Sequence, residues 1–111
     1  MKRETFYLSC DKRTKIHAVG VEGRRSRKVK AVIQICHGMA EYIDRYEEFA
    51  LWLCGKGYYV TGHDHLGHGK SIFSEEDYGY FPEKQGNECV IGDIRKLYLA
   101  TKKRYPDCPY L

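Results

Sequence analysis

The chain has 111 residues, room for one domain; 42% apolar and 31% charged residues suit a folded core, and no stretch of 18 apolar residues offers a membrane span. The net charge of +4 comes largely from one run, Arg24-Arg25-Ser26-Arg27-Lys28-Val29-Lys30. No aromatic residue interleaves with that run, which argues against nucleic acid as a partner. It reads as a solvated turn, with transient contact to an anionic membrane surface as the alternative.

Thr5 to Ser9 has strand character, Asp11-Lys12-Arg13 supplies a polar turn, and Lys15 to Val21 alternates as a half-buried strand should. The expectation is an antiparallel hairpin over 5–21 at the edge of a larger sheet. Lys30 to Cys36 is the first central strand, ending in a sharp His37-Gly38 turn. A helix from Arg45 to Lys56 should follow, with Tyr46, Phe49, Ala50 and Leu53 on one apolar face and Gly55-Lys56-Gly57 as its stop. Tyr58 to Gly62 is the next central strand.

Residues 64–86 form a long loop carrying Phe73, Tyr78, Tyr80 and Phe81; such length inside a small domain points to function. Val90, Ile91, Ile94, Leu97, Tyr98, Thr101 and Tyr105 predict a helix over 88–105. Lys102, Lys103 and Arg104 complement its dipole in the last turn, and Pro106 ends it. Pro109-Tyr110-Leu111 reads as the opening of a further strand. Two helices cover such a sheet poorly, so the expected fold class is α/β with an incomplete complement of elements.

Five cysteines (Cys10, Cys36, Cys54, Cys89, Cys108), with no CxxC spacing, fit free thiols in a reducing compartment. Residues 1–20 lack the apolar run of a secretory leader. Both features point to the cytoplasm.

Strand, loop, helix, strand, loop is the grammar of a parallel α/β sheet, in which ligands gather at the carboxyl ends of the strands. The His37-Gly38 turn and the stretch His63-Asp64-His65-Leu66-Gly67-His68-Gly69-Lys70-Ser71 both fall there. A strand turning at His-Gly and feeding a helix presents backbone N–H groups to the crevice. Gly38 permits close approach, and the Met39 amide would stand above the strand end as half of an oxyanion hole. Two other readings compete. Gly38 could serve only the tight turn, and His63-x-His65-x-x-His68 could ligate zinc in a metal-dependent hydrolase. The zinc signature it approximates needs an aspartate at position 67, which is glycine.

The segment HGMAEYIDRYEEFALWLCGKGYYVTGHDHLGHGKS closely resembles the monoacylglycerol lipase and lysophospholipase branch (serine aminopeptidase S33-like) of the α/β-hydrolase superfamily. That branch carries an HGxxEHxxRY-type loop, a helix, an apolar strand and a D-x-x-GHG-x-S loop. The resemblance extends over about residues 30–111 and includes Tyr105-Pro106-Asp107-Cys108-Pro109 before the expected nucleophile strand. It implies the N-terminal half of an α/β-hydrolase fold, a mostly parallel sheet with an antiparallel hairpin at its edge. It further implies that Met39 donates its backbone N–H to the oxyanion and that His37, Gly38, Glu41 and Arg45 support that loop. Glu41 and Arg45 would pair near the polar head of the substrate. Asp64, Gly67, His68, Gly69 and Ser71 would shape the site.

Family chemistry also needs a serine on a G-x-S-x-G elbow, then an acid, then a histidine. Ser9, Ser26, Ser71 and Ser74 lie in no such elbow. The resemblance puts the elbow after the strand that opens at Tyr110, so these 111 residues alone should be inactive. The expected activity of the whole is hydrolysis of a monoacylglycerol, lysophospholipid or similar acyl ester through an acyl-enzyme. The expected partner is a small lipid or acyl-ester substrate, with no cofactor and no metal. A truncated, non-catalytic hydrolase-like fragment is the alternative.

Overall fold

The computed structural model describes residues 2–9, 12–23, 29–38, 41–72 and 86–111, without the side chains of 86 and 87. Met39, the basic residues 24–28, and Phe73, Tyr78, Tyr80 and Phe81 of the long loop lie outside the described residues, as do Cys10, Ser26 and Ser74.

Strand β1 (Lys2–Leu8) pairs antiparallel with β2 (Lys15–Val21), from Lys2↔Val21 to Leu8↔Lys15. The second strand then lies antiparallel against β4 (Tyr59–His63), which in turn runs parallel to β3 (Val32–Ile35). The order β1-β2-β4-β3 makes a mixed sheet, in which the hairpin is continuous with the central strands. At the far edge Tyr110 bridges Val32 in parallel. Val32 N–H donates to Pro109 O, Leu111 N–H to Val32 O and Gln34 N–H to Leu111 O, so the last residues extend the sheet.

Strand alternation divides the apolar residues between two faces. On one, Val21 and Val60 pack with Ala50, Leu53 and Cys54 of helix α1 (Glu47–Gly55). On the other, Ile16 packs with Leu66 and with Cys89 of helix α2 (Gly86–Arg104). All five residues of β4 are buried, as a strand covered on both faces requires.

The first helix departs from the expected Arg45–Lys56. Residues Ile43–Tyr46 wind as a 3-10 turn before α1 begins. Within α1 the buried stripe is Ala50, Leu53 and Cys54, and Phe49, at the edge of the expected apolar face, stands 51% exposed. Trp52 beside it is 59% exposed, its ring stacked on Phe49 with centroids 6.3 Å apart. The second helix begins at Gly86 and ends at Arg104. Ile91, expected on its apolar face, is 64% exposed.

Candidate active site

Parallel neighbours β3 and β4 release their chains at the same edge of the sheet, so residues 36–38 and 64–72 emerge side by side. The loop after β3 is pinned at both ends to the loop after β4. At its start, the His65 N–H donates to His37 Nε2 at 2.9 Å, and His65 Nε2 meets the His37 carbonyl at 3.0 Å. With Nε2 accepting, the His37 proton sits on Nδ1 and is donated to the Gly38 carbonyl at 2.7 Å. At the other end, the Ile43 N–H donates to Asp64 Oδ1 at 2.7 Å.

Asp64 is the hub of the second loop. Besides Ile43 its carboxylate accepts the Lys70 N–H at 3.0 Å and a bond from His17 Nδ1 at 2.8 Å. The Ser71 hydroxyl donates to the Asp64 carbonyl at 2.7 Å and accepts the His17 N–H at 2.8 Å. All three side chains are buried, so these bonds replace the water each group gives up. The loop can fold this tightly because Gly67 and Gly69 take φ of +81° and +51°, and a side chain on Gly69 would run into the Asp64 carboxylate.

Gly38 and Glu41 form a smaller unit. The Gly38 N–H donates to Glu41 Oε1 at 2.6 Å, and the Tyr46 hydroxyl donates to the same oxygen at 2.9 Å. These two donors hold the Glu41 carboxyl below its ordinary value, the Gly38 amide contributing most. Arg45 does pair with Glu41, at the surface. Its guanidinium stands 3.7 Å from Glu41 Oε2 and is 59% exposed, a surface contact one helical turn away. Tyr46, expected as a core residue, is what braces Glu41. Gly38 spends its own N–H on that carboxylate, so it offers none to a substrate oxyanion; the described residues do not include the expected donor, Met39.

Four imidazoles gather at this edge. The rings of His37 and His65 are 4.1 Å apart, His37 and His68 5.3 Å, and His63 and His65 5.2 Å. Burial depresses the proton affinities of His37 and His65, and that of His63 to about 3, with neighbouring imidazoles acting in the same direction. His65 and His68 turn ring nitrogens to the carbonyls of His37 and Leu66. His63 lies on the α2 side of the sheet, edge-on to Tyr7. Among the described residues no three His, Cys, Asp or Glu side chains are arranged to hold a metal ion.

The structure thus brings together His37, Gly38, Glu41, Asp64, Gly67, His68, Gly69 and Ser71, with Arg45 at the surface beside Glu41. Tyr46 and His17 belong to the site without having been anticipated. Spacing could have found Tyr46, five residues after Glu41. For His17, which lies 47 positions from its partner in the loop after β4, the sequence carries no signal.

The model of the serine aminopeptidase S33 family matches residues 27–111. A monoglyceride lipase of Homo sapiens is 50% identical over 87 residues, covering 72% of this chain and 24% of the relative. A monoglyceride lipase homolog of Monkeypox virus is 31% identical over 83 residues, covering 72% of this chain and 27% of that protein. Among solved structures, a thermostable carboxyl esterase of Bacillus coagulans in complex with glycerol superposes with a TM-score of 0.87 at 28% identity, over 98% of this chain and 34% of its own. The chain spans about a quarter of the length of these curated relatives. With the family model covering most of its length and the esterase fold matching throughout, the chain belongs to the serine aminopeptidase S33 family of α/β-hydrolases.

Proposed function

We propose that this chain supplies the oxyanion side of a serine ester hydrolase that acts on monoacylglycerol, lysophospholipid or similar acyl esters. The observation that carries the reading is the double attachment of the loop after β3, by His65 at His37 and by Asp64 at Ile43. An oxyanion hole works by holding N–H donors still while charge develops on the substrate oxygen, so a loop fixed at both ends suits that task. In this reading the Met39 amide is the donor and Glu41 keeps the turn at Gly38 in register. A serine attacks the acyl carbonyl, a histidine oriented by an acid takes its proton, and water then releases the acyl-enzyme. None of the four serines in these residues sits in a G-x-S-x-G elbow, so the reading assigns the nucleophile, acid and base to none of them. The monoglyceride lipases among its relatives support the choice of a lipid ester.

The test is the intact mass of the natural protein before and after a fluorophosphonate probe. One covalent adduct on a species heavier than 13.0 kDa is expected. A 13.0 kDa protein without an adduct would overturn the reading in favour of a non-catalytic hydrolase-like chain.

A further inference from the structure

We propose that His17 is a positioning residue for the oxyanion loop, acting through Asp64; the assignment rests on the hydrolase reading above. His17 lies in the middle of β2, away from both site loops in sequence, and its side chain is fully buried. Its Nδ1 reaches Asp64 Oδ2 at 2.8 Å. The other oxygen of that carboxylate holds the Ile43 N–H, where the loop after β3 returns to the sheet, and Oδ2 also holds the Lys70 N–H of the glycine loop. The backbone of His17 locks the same unit from below. Its N–H goes to Ser71 Oγ, and its carbonyl accepts the Asp64 N–H at 2.8 Å.

One β2 residue therefore fixes the position and the rotamer of the carboxylate that ties both loops together. An apolar residue could fill the same space, but it would leave Asp64, only 2% exposed, with a buried carboxylate short of one donor. The carboxylate would then turn toward solvent or toward another donor and release the Ile43 amide. The other side of the ring faces β1. Glu4 Oε2 of β1 stands 3.4 Å from Nε2, the Lys70 ammonium lies 3.8 Å from that same oxygen, and the Phe6 ring lies 5.2 Å away. Neither Glu4 nor Phe6 carries a donor that could replace the His17 bond to Asp64.

Site-resolved amide hydrogen exchange on this chain tests the assignment. In His17→Phe the Ile43 and Lys70 amides should exchange at least tenfold faster, while amides of the β2–β4 ladder keep their rates. His17→Asn, which puts an N–H close to where Nδ1 stands, should restore protection. Equal acceleration at every site would reduce His17 to a core residue and overturn the proposal, and so would no acceleration at Ile43. Should His17→Phe not fold, the unsubstituted chain decides through its proton spectrum: a deshielded, slowly exchanging His17 Nδ1 proton is expected, and its absence overturns the pairing. In a natural protein that takes the fluorophosphonate adduct, His17→Phe should label about tenfold more slowly and His17→Asn should regain the rate. Unchanged labelling beside a loosened Ile43 amide would overturn the positioning role, whereas no adduct in any form would defeat the hydrolase reading and leave the exchange result standing.

Discussion

The His65 backbone N–H donates to Nε2 of His37 across 2.9 Å, a bond that exists only while that nitrogen is unprotonated. Burial lowers the proton affinity of His37, and it depresses the His63 imidazole from 6.5 to about 3. The folded protein thus resists protons that the unfolded chain accepts below pH 6.5. The stabilisation from these neutral rings is complete above that pH and is lost as the pH falls from 6.5 towards 3. His63 alone should lower stability by about 1.4 kcal/mol per pH unit through the middle of that window. Urea denaturation at several pH values checks this. His63→Phe should flatten the slope, and an equal slope in the variant would show that His63 titrates normally.

Glu41 gives a second pH signature, opposite in origin. Its carboxylate receives the Gly38 and Tyr46 donors, so its titration midpoint lies below 4.5 and the bonds weaken as the pH falls through it. The Gly38 amide resonance should titrate with that low midpoint, and Tyr46→Phe should raise it. A Gly38 shift that does not titrate would mean that the amide points elsewhere.

Gly69 should tolerate no side chain. Its φ of +51° costs an alanine roughly 1–2 kcal/mol, before the added methyl meets the buried Asp64 carboxylate. Gly69→Ala should therefore lower the unfolding free energy measured with urea by at least that amount. Gly55→Ala, where a methyl meets nothing within 4 Å, should change it little. Equal behaviour of the two variants would contradict the loop geometry.

Phe49 and Trp52 are half exposed or more, with the Lys56 ammonium 5.5 Å over the Trp52 ring. Exposed stacked aromatics of this kind drive association. The isolated 111-residue chain should self-associate in sedimentation runs at micromolar concentration, and Phe49→Lys with Trp52→Lys should reduce that without lowering stability. Identical sedimentation of the two forms would clear these residues.

The α/β class could be read from the sequence because it rests on local patterns: apolar strands, glycine loops and a long amphipathic helix. The gathering of two loops at one sheet edge followed from the same patterns, since parallel neighbours end together. The face of α1 could not be read. Tyr46, Phe49, Ala50 and Leu53 make a sound apolar stripe at α-helical spacing, but the first turn winds as 3-10, Tyr46 bonds Glu41 and Phe49 faces solvent. Arg45 could be read as a partner for Glu41 at i+4 and does pair with Oε2 at the surface, but the amide and hydroxyl that hold Oε1 could not be read. His17 was hidden for a different reason. In Lys15-Ile16-His17-Ala18-Val19 it looks like any polar residue of an alternating strand, and its partner lies 47 positions away.

The opening strand is stitched to the closing helix. The Tyr7 hydroxyl donates to the Asp93 carbonyl, Ser9 Oγ to the Asp93 carboxylate and Lys96 Nζ to the Leu8 carbonyl, across 84 to 88 positions of sequence. Such contacts close long loops and carry a heavy entropic cost before any reward arrives. During synthesis β1 and β2 therefore emerge as a hairpin with one face uncovered, and they wait there until residue 96 has left the ribosome. Strand β1 is thus made well before the helix that gives it its final neighbours.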